Sequence, residues 1–499
     1  LIKSLLVFLL GTFFLFANAP QVCNADILRQ EDATKQAIVK IYSVAKIPSY
    51  IAPWSSSMRS STGSGAIIEG GYILTNAHVV ANQAFLEVQR YGQRKRYIAK
   101  VYAVSHQADL ALLKVEEKTF LKGVRPLTFG TLPQVEQRIV VYGYPMGGNT
   151  LSATIGVVSR VEHHGYAHSG ESFLAVQVDA AVNPGNSGGP ALSNGKIVGV
   201  VMQVISKSQN IGYLVPVSMV QHFITDMKDG HCDGFADLGI GTQRLENPAM
   251  RRYYGLNENI SGKLIDKIIY SSSLNGVLKT NDVLTAIDGH NIENDGTVAF
   301  RKHEYTDYHY FVDAHQMGET VDLNIIRDRK PMKVKATLKN TADDILLVKT
   351  TRYDKMPTYF IYGGYVFSPL TRNLIRSTNR NRLKLSYLAS KWQTKNRKEV
   401  VMLLKVLASD ISRGDYDFGM WPIDKINGET FKDFKEFYQK MQAVKDRYIV
   451  LEDNDGVKVI IDKDEAKAKQ GEILKKYNIE FDRSVDLRKG SKQEGASSS

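Results

Sequence analysis

Asp179-Ala-Ala-Val-Asn-Pro-Gly-Asn-Ser187-Gly-Gly-Pro190 sets a serine among glycines on a sharp turn between two apolar runs. A serine hydroxyl is a weak nucleophile at neutral pH. To react it needs a neighbouring base to take its proton and donors to hold the oxyanion its attack creates. Gly185, Gly188 and Gly189 allow backbone conformations closed to other residues, so the N–H groups of Gly185 and Ser187 can point at one oxygen. Taken alone, the stretch also reads as a tight hairpin corner.

A base and its orienter lie upstream. Tyr72-Ile-Leu-Thr-Asn-Ala-His78-Val-Val80 is an apolar strand running into a small-residue turn, which places His78 at a strand end. Ala108-Asp109-Leu-Ala-Leu-Leu-Lys-Val115 puts one carboxylate immediately before another apolar strand, where it is either a turn former or the group that fixes an imidazole tautomer. The order His78, Asp109, Ser187 is that of the chymotrypsin-like triad. The contexts Thr-Asn-Ala-His, Ala-Asp-Leu-Ala-Leu-Leu and Gly-Asn-Ser-Gly-Gly-Pro resemble the HtrA/Deg (protease Do-like) serine proteases. Pro53-Trp54, Gly143-Tyr-Pro-Met-Gly-Gly148, Glu246-Asn-Pro248, Asn294-Asp-Gly-Thr297 and Pro357-Thr-Tyr-Phe360 resemble the plant-type Deg branch, and the last three lie beyond the region of the three reacting residues.

At 499 residues the chain exceeds what one core fills. Its 43% hydrophobic and 9% aromatic content is that of an ordinary globular protein. Residues 1–25 read as a signal peptide: Lys3, the apolar run Leu5 to Phe16, then small residues up to Ala25. The run is shorter than the roughly 20 apolar residues of a membrane-spanning helix. Export follows as the expectation, to the periplasm in a two-membrane bacterium. Loss of the leader would leave Cys232 as the single cysteine, so no intrachain bridge is available, and would lower the formal charge from +12 to +11. No basic helix with interleaved aromatics accompanies the positive charge, so nucleic acid is not expected as a partner.

Short strands recur at Ile38–Val44, Gly65–Ile68, Phe85–Gln89, Tyr97–Tyr102, Arg138–Tyr142 and Thr154–Val158, with the Pro/Ser-rich piece up to Gly63 read as a loop. Asn194-Gly195 between apolar runs signals a hairpin, and Val215–Ile224 a closing helix with Ser218 as its cap. The expected fold is mainly β. The resemblance makes it a chymotrypsin-like double β-barrel protease domain (26–230), an α+β PDZ domain (235–340) and a second PDZ-like domain (345–480), followed by a disordered tail (481–499).

Further expectations follow from the resemblance. Ala181 stands six positions before Ser187, where enzymes that cut after Lys or Arg carry an acid. With Val182, Val200, Val201 and Met202 as walls, the substrate pocket is expected to take small or medium aliphatic side chains. The stretch His163 to His168, read as a polar loop of solvated histidines, matches by position the family's sensor loop and completes no metal site. Asp237, Leu238, Gly239 and Ile240 resemble the PDZ loop that grips a peptide C-terminus through backbone N–H groups. Ile423–Gly428 repeats Leu284–Gly289 in type. The insertion 372–398 carries nine Lys/Arg and no acid and reads as a solvated helix face, with an anionic-membrane or assembly contact as the weaker alternative.

The functional expectation is an ATP-independent endopeptidase that degrades misfolded or damaged exported proteins. Its oxyanion hole is Gly185 and Ser187, it needs no cofactor or metal, and it assembles as trimers or multiples of trimers. The alternative is a PDZ-based holdase or scaffold whose protease domain is mostly inactive.

Overall fold

The computed structural model describes residues 32–146, 148–204 and 211–488. The leader expected at residues 1–25 and the polar end from Lys489 lie outside the described residues.

The first twelve strands close two barrels. β1 (Ile38–Pro48), β2 (Ser56–Ile67), β3 (Ile73–Thr75), β4 (Gln83–Arg90), β5 (Arg96–Ser105) and β6 (Leu110–Val115) form the first, in the order β1-β2-β3-β6-β5-β4. β7 (Arg138–Gly143), β8 (Ser152–Gly165), β9 (Ser172–Val178), β10 (Pro190–Ser193), β11 (Lys196–Val204) and β12 (Gly212–Pro216) form the second, in the order β10-β11-β12-β9-β8-β7. Closure leaves no unpaired sheet edge, and strands that alternate in burial fill each interior. Barrel two has its own core around Val141, Val176, Val178, Val198 and Val201, whereas the larger apolar cluster runs from barrel one into barrel two through Tyr142, Val200, Met202 and Tyr213. That shared cluster fixes the barrels against each other at the cleft.

Three local expectations are corrected. Residues 56–63 are not a loop, because β2 begins at Ser56 and pairs with β1 from Pro48↔Ser56 onward. Ser56–Ser61 are exposed, so no alternation of apolar and polar residues marks them as strand. Ser218 is not the helix cap: the helix spans Val217–Asp226, Pro216 precedes it, and the buried Ser218 hydroxyl has no hydrogen-bond partner among the described residues. His163 to Gly165 are the end of β8, and the loop that follows is 166–171.

Beyond the barrels, β13 (Ile240–Arg244), β14 (Lys263–Ile268), β15 (Val283–Ile287), β16 (His290–Asn291), β17 (Thr297–Arg301), β18 (Glu304–Asp307), β19 (Thr320–Arg327) and β20 (Lys330–Thr337) build one sheet in the order β13-β14-β15-β19-β20, with the β17–β18 hairpin beside it. The last region has two four-stranded sheets. One is β21 (Phe360–Tyr362), β22 (Tyr365–Pro369), β23 (Val401–Val406) and β24 (Gly419–Ile423). The other is β25 (Lys425–Ile426), β26 (Glu429–Thr430), β27 (Tyr448–Glu452) and β28 (Lys458–Asp462). Residues 481–488, expected in the disordered tail, instead fold back on this region: Ile361 N–H donates to Asp482 O at 2.7 Å and Ser484 N–H to Tyr359 O at 3.0 Å. The basic insertion forms two short helices, Arg372–Arg376 and Arg382–Ala389.

The C-terminal regions rest on the barrels. Tyr50, Ile51 and Trp54 join the apolar cluster of the last region, with Trp54 edge-on to Tyr359 at 6.0 Å. His163 Nε2 lies 3.1 Å from the buried Asp313 carboxylate of the first C-terminal region.

Within the sheet β13–β20, the Arg327 guanidinium makes a two-pronged contact with Asp282 at 2.8 and 2.6 Å, and Asp282 is 1% exposed. Removing one member strands a buried charge. Arg327→Leu is therefore expected to cost about 3 kcal/mol. Hydrogen exchange should show it as lost protection in β15 and β19 with the barrels unchanged.

Candidate active site

The site lies where the barrels meet, and Ser64 is its joint. Wholly buried in β2, it accepts from Tyr144 N–H through Oγ at 2.8 Å and donates that hydroxyl to Gly185 O at 2.7 Å. Its own N–H donates to Ser187 O at 2.9 Å, and its carbonyl accepts from Thr75 Oγ1 at 2.7 Å. One small residue of barrel one thus binds both sides of the serine turn, which belongs to barrel two. The sequence reading missed Ser64, whose only local signal is a small polar residue between Gly63 and Gly65.

His78 and Asp109 are brought together. His78 sits in the single helical turn Ala77–Val80 that follows β3. Its Nδ1 lies 2.7 Å from Asp109 Oδ2, and its backbone N–H donates to Asp109 Oδ1 at 2.9 Å. Both carboxylate oxygens are therefore spent on one residue. Asp109 is 1% exposed and holds φ +54, a conformation that Asp tolerates better than most side chains. The buried Asn76 pins it by donating from Nδ2 to Asp109 O at 2.8 Å.

The electrostatics follow from that pairing. Burial alone would push the His78 pKa down, but attraction to Asp109 and their hydrogen bond outweigh it and hold it above the ordinary value of 6.5. Burial would likewise raise the Asp109 pKa, and its charge interaction and hydrogen bonds with His78 bring it below the usual carboxylate value.

Ser187 is half-buried beside this pair. Gly188, its neighbour, lies so close to the His78 strand that an added Cβ would meet Thr75 Oγ1 at 2.1 Å and Asn76 N at 3.1 Å. The Ser187 hydroxyl points to Met202 O at 3.4 Å, and among the described residues no hydrogen bond joins it to His78.

The amides of the turn divide into used and unused. Asn186 N–H donates to Asn183 O, Gly188 N–H to Val201 O and Gly189 N–H to Asn186 O. Among the described residues the N–H groups of Gly185 and Ser187 donate to nothing. The trans peptide explains why, since its N–H points opposite its C=O. Pro184 O is held by Met146 N–H at 2.7 Å and Asn186 O by Gly189 N–H at 2.9 Å, so the two intervening N–H groups are turned outward. Gly185 holds φ +99, where an L side chain would be strained and would strike Tyr144 O.

The pocket expectation meets a mixed placement. Ala181 is exposed, Val182 and Val201 pack in the core of barrel two, and Val200 and Met202 belong to the larger cluster. Strand β11 flanks Ser187 through its backbone: Val201 exchanges hydrogen bonds with Gly188 and Gly189. The histidines of 163–168 are not solvated as expected. His163 bonds Thr306 and Asp313, His164 stacks on Tyr213 at 4.0 Å, and His168 packs 6.1 Å from the His78 ring. At 236–240, Leu238 is buried and Gly239 N–H donates to the Asp237 carboxylate at 2.7 Å, so the loop's own side chain occupies one of its donors.

Comparison with known proteins follows the geometry. The profile of a trypsin-like peptidase domain matches residues 63–200 and that of a PDZ domain matches residues 348–486. Protease Do-like 4, mitochondrial, of Arabidopsis thaliana is 36% identical over 465 residues, covering 93% of this chain and 88% of its own length. Protease Do-like 2, chloroplastic, of the same plant is 36% identical over 459 residues, covering 90% and 75%. A solved HtrA-type protease, a serine-to-alanine form of AlgW with a decapeptide, superposes with a TM-score of 0.51 at 22% identity, covering 62% of this chain and 96% of that one. At that identity the superposition speaks for the fold.

Gly188 is the position least able to change, since φ is +82 and the Cβ of any substitute would overlap Ser64 O at 2.2 Å. Gly188→Ala is expected to lower the thermal midpoint by roughly 5 °C or more. Scanning calorimetry against wild type checks it.

Proposed function

The chain belongs to the HtrA/Deg (Do-like) family of serine endopeptidases, and from that premise we propose that His78, Asp109 and Ser187 carry its peptide-bond hydrolysis. The observation that supports this reading is the spending of both Asp109 oxygens on His78, next to a serine turn in which, among the described residues, the amides of Gly185 and Ser187 donate to nothing while those of Asn186, Gly188 and Gly189 are taken. Asp109 fixes the tautomer with Nδ1–H, which leaves Nε2 of His78 with its lone pair free to act as base. Ser187 Oγ turns from Met202 O to His78, gives up its proton and attacks the scissile carbonyl. The Gly185 and Ser187 amides then receive the oxyanion. Loss of one such donor costs about 3 kcal/mol of transition-state stabilisation. His78 next passes its proton to the leaving amine, and water repeats the cycle on the acyl-enzyme.

Unfolded polypeptides are the proposed substrates, cut after small or medium aliphatic residues because Ala181 offers nothing to balance a buried cation. The Asp237–Ile240 loop is proposed to take peptide C-termini, which must displace the Asp237 carboxylate from Gly239 N–H. A trimer is proposed from the family resemblance. Since the names of the matching Do-like proteases place them in mitochondria and chloroplasts, the proposed compartment is an organelle. The expected bacterial periplasm gives way to it.

Casein digestion and aggregation suppression, assayed in parallel, separate a protease from a holdase. Ser187→Ala is expected to abolish digestion and fluorophosphonate labelling together. Digestion that survives in this variant would remove the mechanism, while wild-type protein that suppresses aggregation but never digests would favour the holdase.

Asp109→Asn is expected to lower kcat by about three to four orders of magnitude with the fold retained, through loss of the correct His78 tautomer. The pH profile has a fixed sign. His78 is a base only when neutral and its pKa is raised, so kcat/KM falls as pH drops through a value above 6.5. An acid limb centred below 6.5 in peptide-substrate kinetics would contradict the pairing.

A further inference from the structure

The connector between the two C-terminal regions passes over the His78 side of the cleft. The Tyr353 ring stacks on His168 at 3.9 Å and on His106 at 4.6 Å, and its hydroxyl donates to His168 O at 2.8 Å. Asp354 Oδ2 lies 2.7 Å from His106 Nε2, and His106 Nδ1 lies 2.9 Å from His168 Nε2. The segment is anchored at several points. Asp354 N–H donates to Asn82 Oδ1 at 2.8 Å, Asn82 N–H returns a bond to the Asp354 carboxylate, and Asn373 Oδ1 and Nδ2 bind both polar groups of the Arg352 backbone. Asn82 stands four residues after His78. None of these contacts belongs to the three reacting residues, yet all converge on the imidazole beside them.

The proton count decides what this can do. In the tautomer in which His106 Nε2–H donates to Asp354, the His106 Nδ1 lone pair accepts from His168 Nε2–H. A neutral His168 then has no second N–H to offer. Burial pushes its pKa down to about 3, so it stays neutral at working pH. Its ring nevertheless lies 6.1 Å from that of His78, whose Nδ1 is held by the Asp109 carboxylate.

We propose that Tyr353 and Asp354 are positioning residues for the hydrolysis: through His106 they hold the His168 N–H away from Asp109, so that the carboxylate serves His78 alone. This rests on the His78–Asp109–Ser187 reading above. Without the Asp354 carboxylate the His106 tautomer is unfixed. His168 can then protonate or change tautomer and donate to Asp109, dividing that carboxylate between two imidazoles. The titratable groups facing His168 are His78 and Asp109 from barrel one, His106 from the turn after β5, and Tyr353 and Asp354 from the connector, with Arg376 behind Tyr353.

The test is a double-mutant cycle in the full chain, with peptide kinetics from about pH 5 to 9, the range in which an imidazole titrates. Asp354→Asn is isosteric and at an exposed position. It is expected to lower kcat roughly tenfold with KM unchanged, the scale of a misplaced catalytic group. The acid limb of kcat/KM is expected to steepen from a one-proton to a two-proton dependence as His168 begins to titrate. His168→Phe keeps the ring stack and removes the competing imidazole, so in that background Asp354→Asn should be nearly silent. Tyr353→Phe, which keeps the stack, should retain more activity than Tyr353→Ala. An Asp354→Asn effect of equal size with and without the His168 imidazole overturns the proposal, as does an unchanged kcat and pH profile. Ser187→Ala in the same assay separates the two failures: if it is inert while Asp354→Asn is silent, only the positioning role falls, and if it remains active the triad reading falls with it.

Discussion

The buried hydroxyl of Ser64 is the point on which the geometry depends. The groups proposed to react come from different barrels, and no disulfide sets their separation. Four hydrogen bonds through one residue tie β2 to the serine turn, to Tyr144 and to the strand that carries His78. Each contributes only about 1 kcal/mol net, but leaving a buried partner unpaired costs more than the bond is worth, so the four act as a set. The apolar cluster that crosses the interface supplies the attraction between the barrels. The Ser64 bonds supply the register.

The same economy governs the proposed oxyanion donors. A backbone N–H aimed at empty space is rare in a folded chain, because burial without a partner is costly. Among the described residues the N–H groups of Gly185 and Ser187 have no acceptor, and the carbonyls of their own peptides are held from behind by Met146 and Gly189. Pre-orienting donors in the resting protein moves the cost of aligning dipoles from the reaction to folding. That cost is visible as φ +99 at Gly185 and φ +82 at Gly188, values that no other residue type would accept in the space available.

What could be read from the sequence was what is written locally. The proposed site residues Ser187, His78 and Asp109 each sit in a distinctive local neighbourhood, the structure brings the last two together, and most barrel strands show apolar runs bounded by turns. The repeat between Leu284–Gly289 and Ile423–Gly428 is also local: both are two-residue hairpin turns, with Asp288 and Asn427 at φ +46 and equivalent pairing, Ile287↔His290 and Ile426↔Glu429. Three kinds of feature escaped. Residues 56–61 are exposed, so their strand is set by pairing with β1 and leaves no hydrophobic trace. Ser64 acts on groups 80 and 121 positions away, and His163 on groups 143 and 150 positions away. Residues 482–488 look like a polar tail until Tyr359 and Ile361 are there to accept them.

Both C-terminal regions reach the reacting residues through the same stretch, 163–171, and by different physics. The first holds it with His163 against the buried Asp313, a contact that needs a charged or strongly polarised partner out of water. The second holds it with a stacked Tyr353 on His168 and with Arg372 and Arg376 close to Gly170, a contact of rings and long side chains at a half-exposed surface. Tyr166, at the centre of the stretch, is fully buried and donates its hydroxyl to Leu174 O at 2.6 Å, so the loop cannot yield gradually at that point. A packed element of this kind has discrete arrangements and no continuous range between them. A ligand of either C-terminal region could alter the site only by its difference in affinity for those arrangements, and by linkage the factor by which it changed substrate affinity would equal the factor by which substrate changed its own, pair by pair.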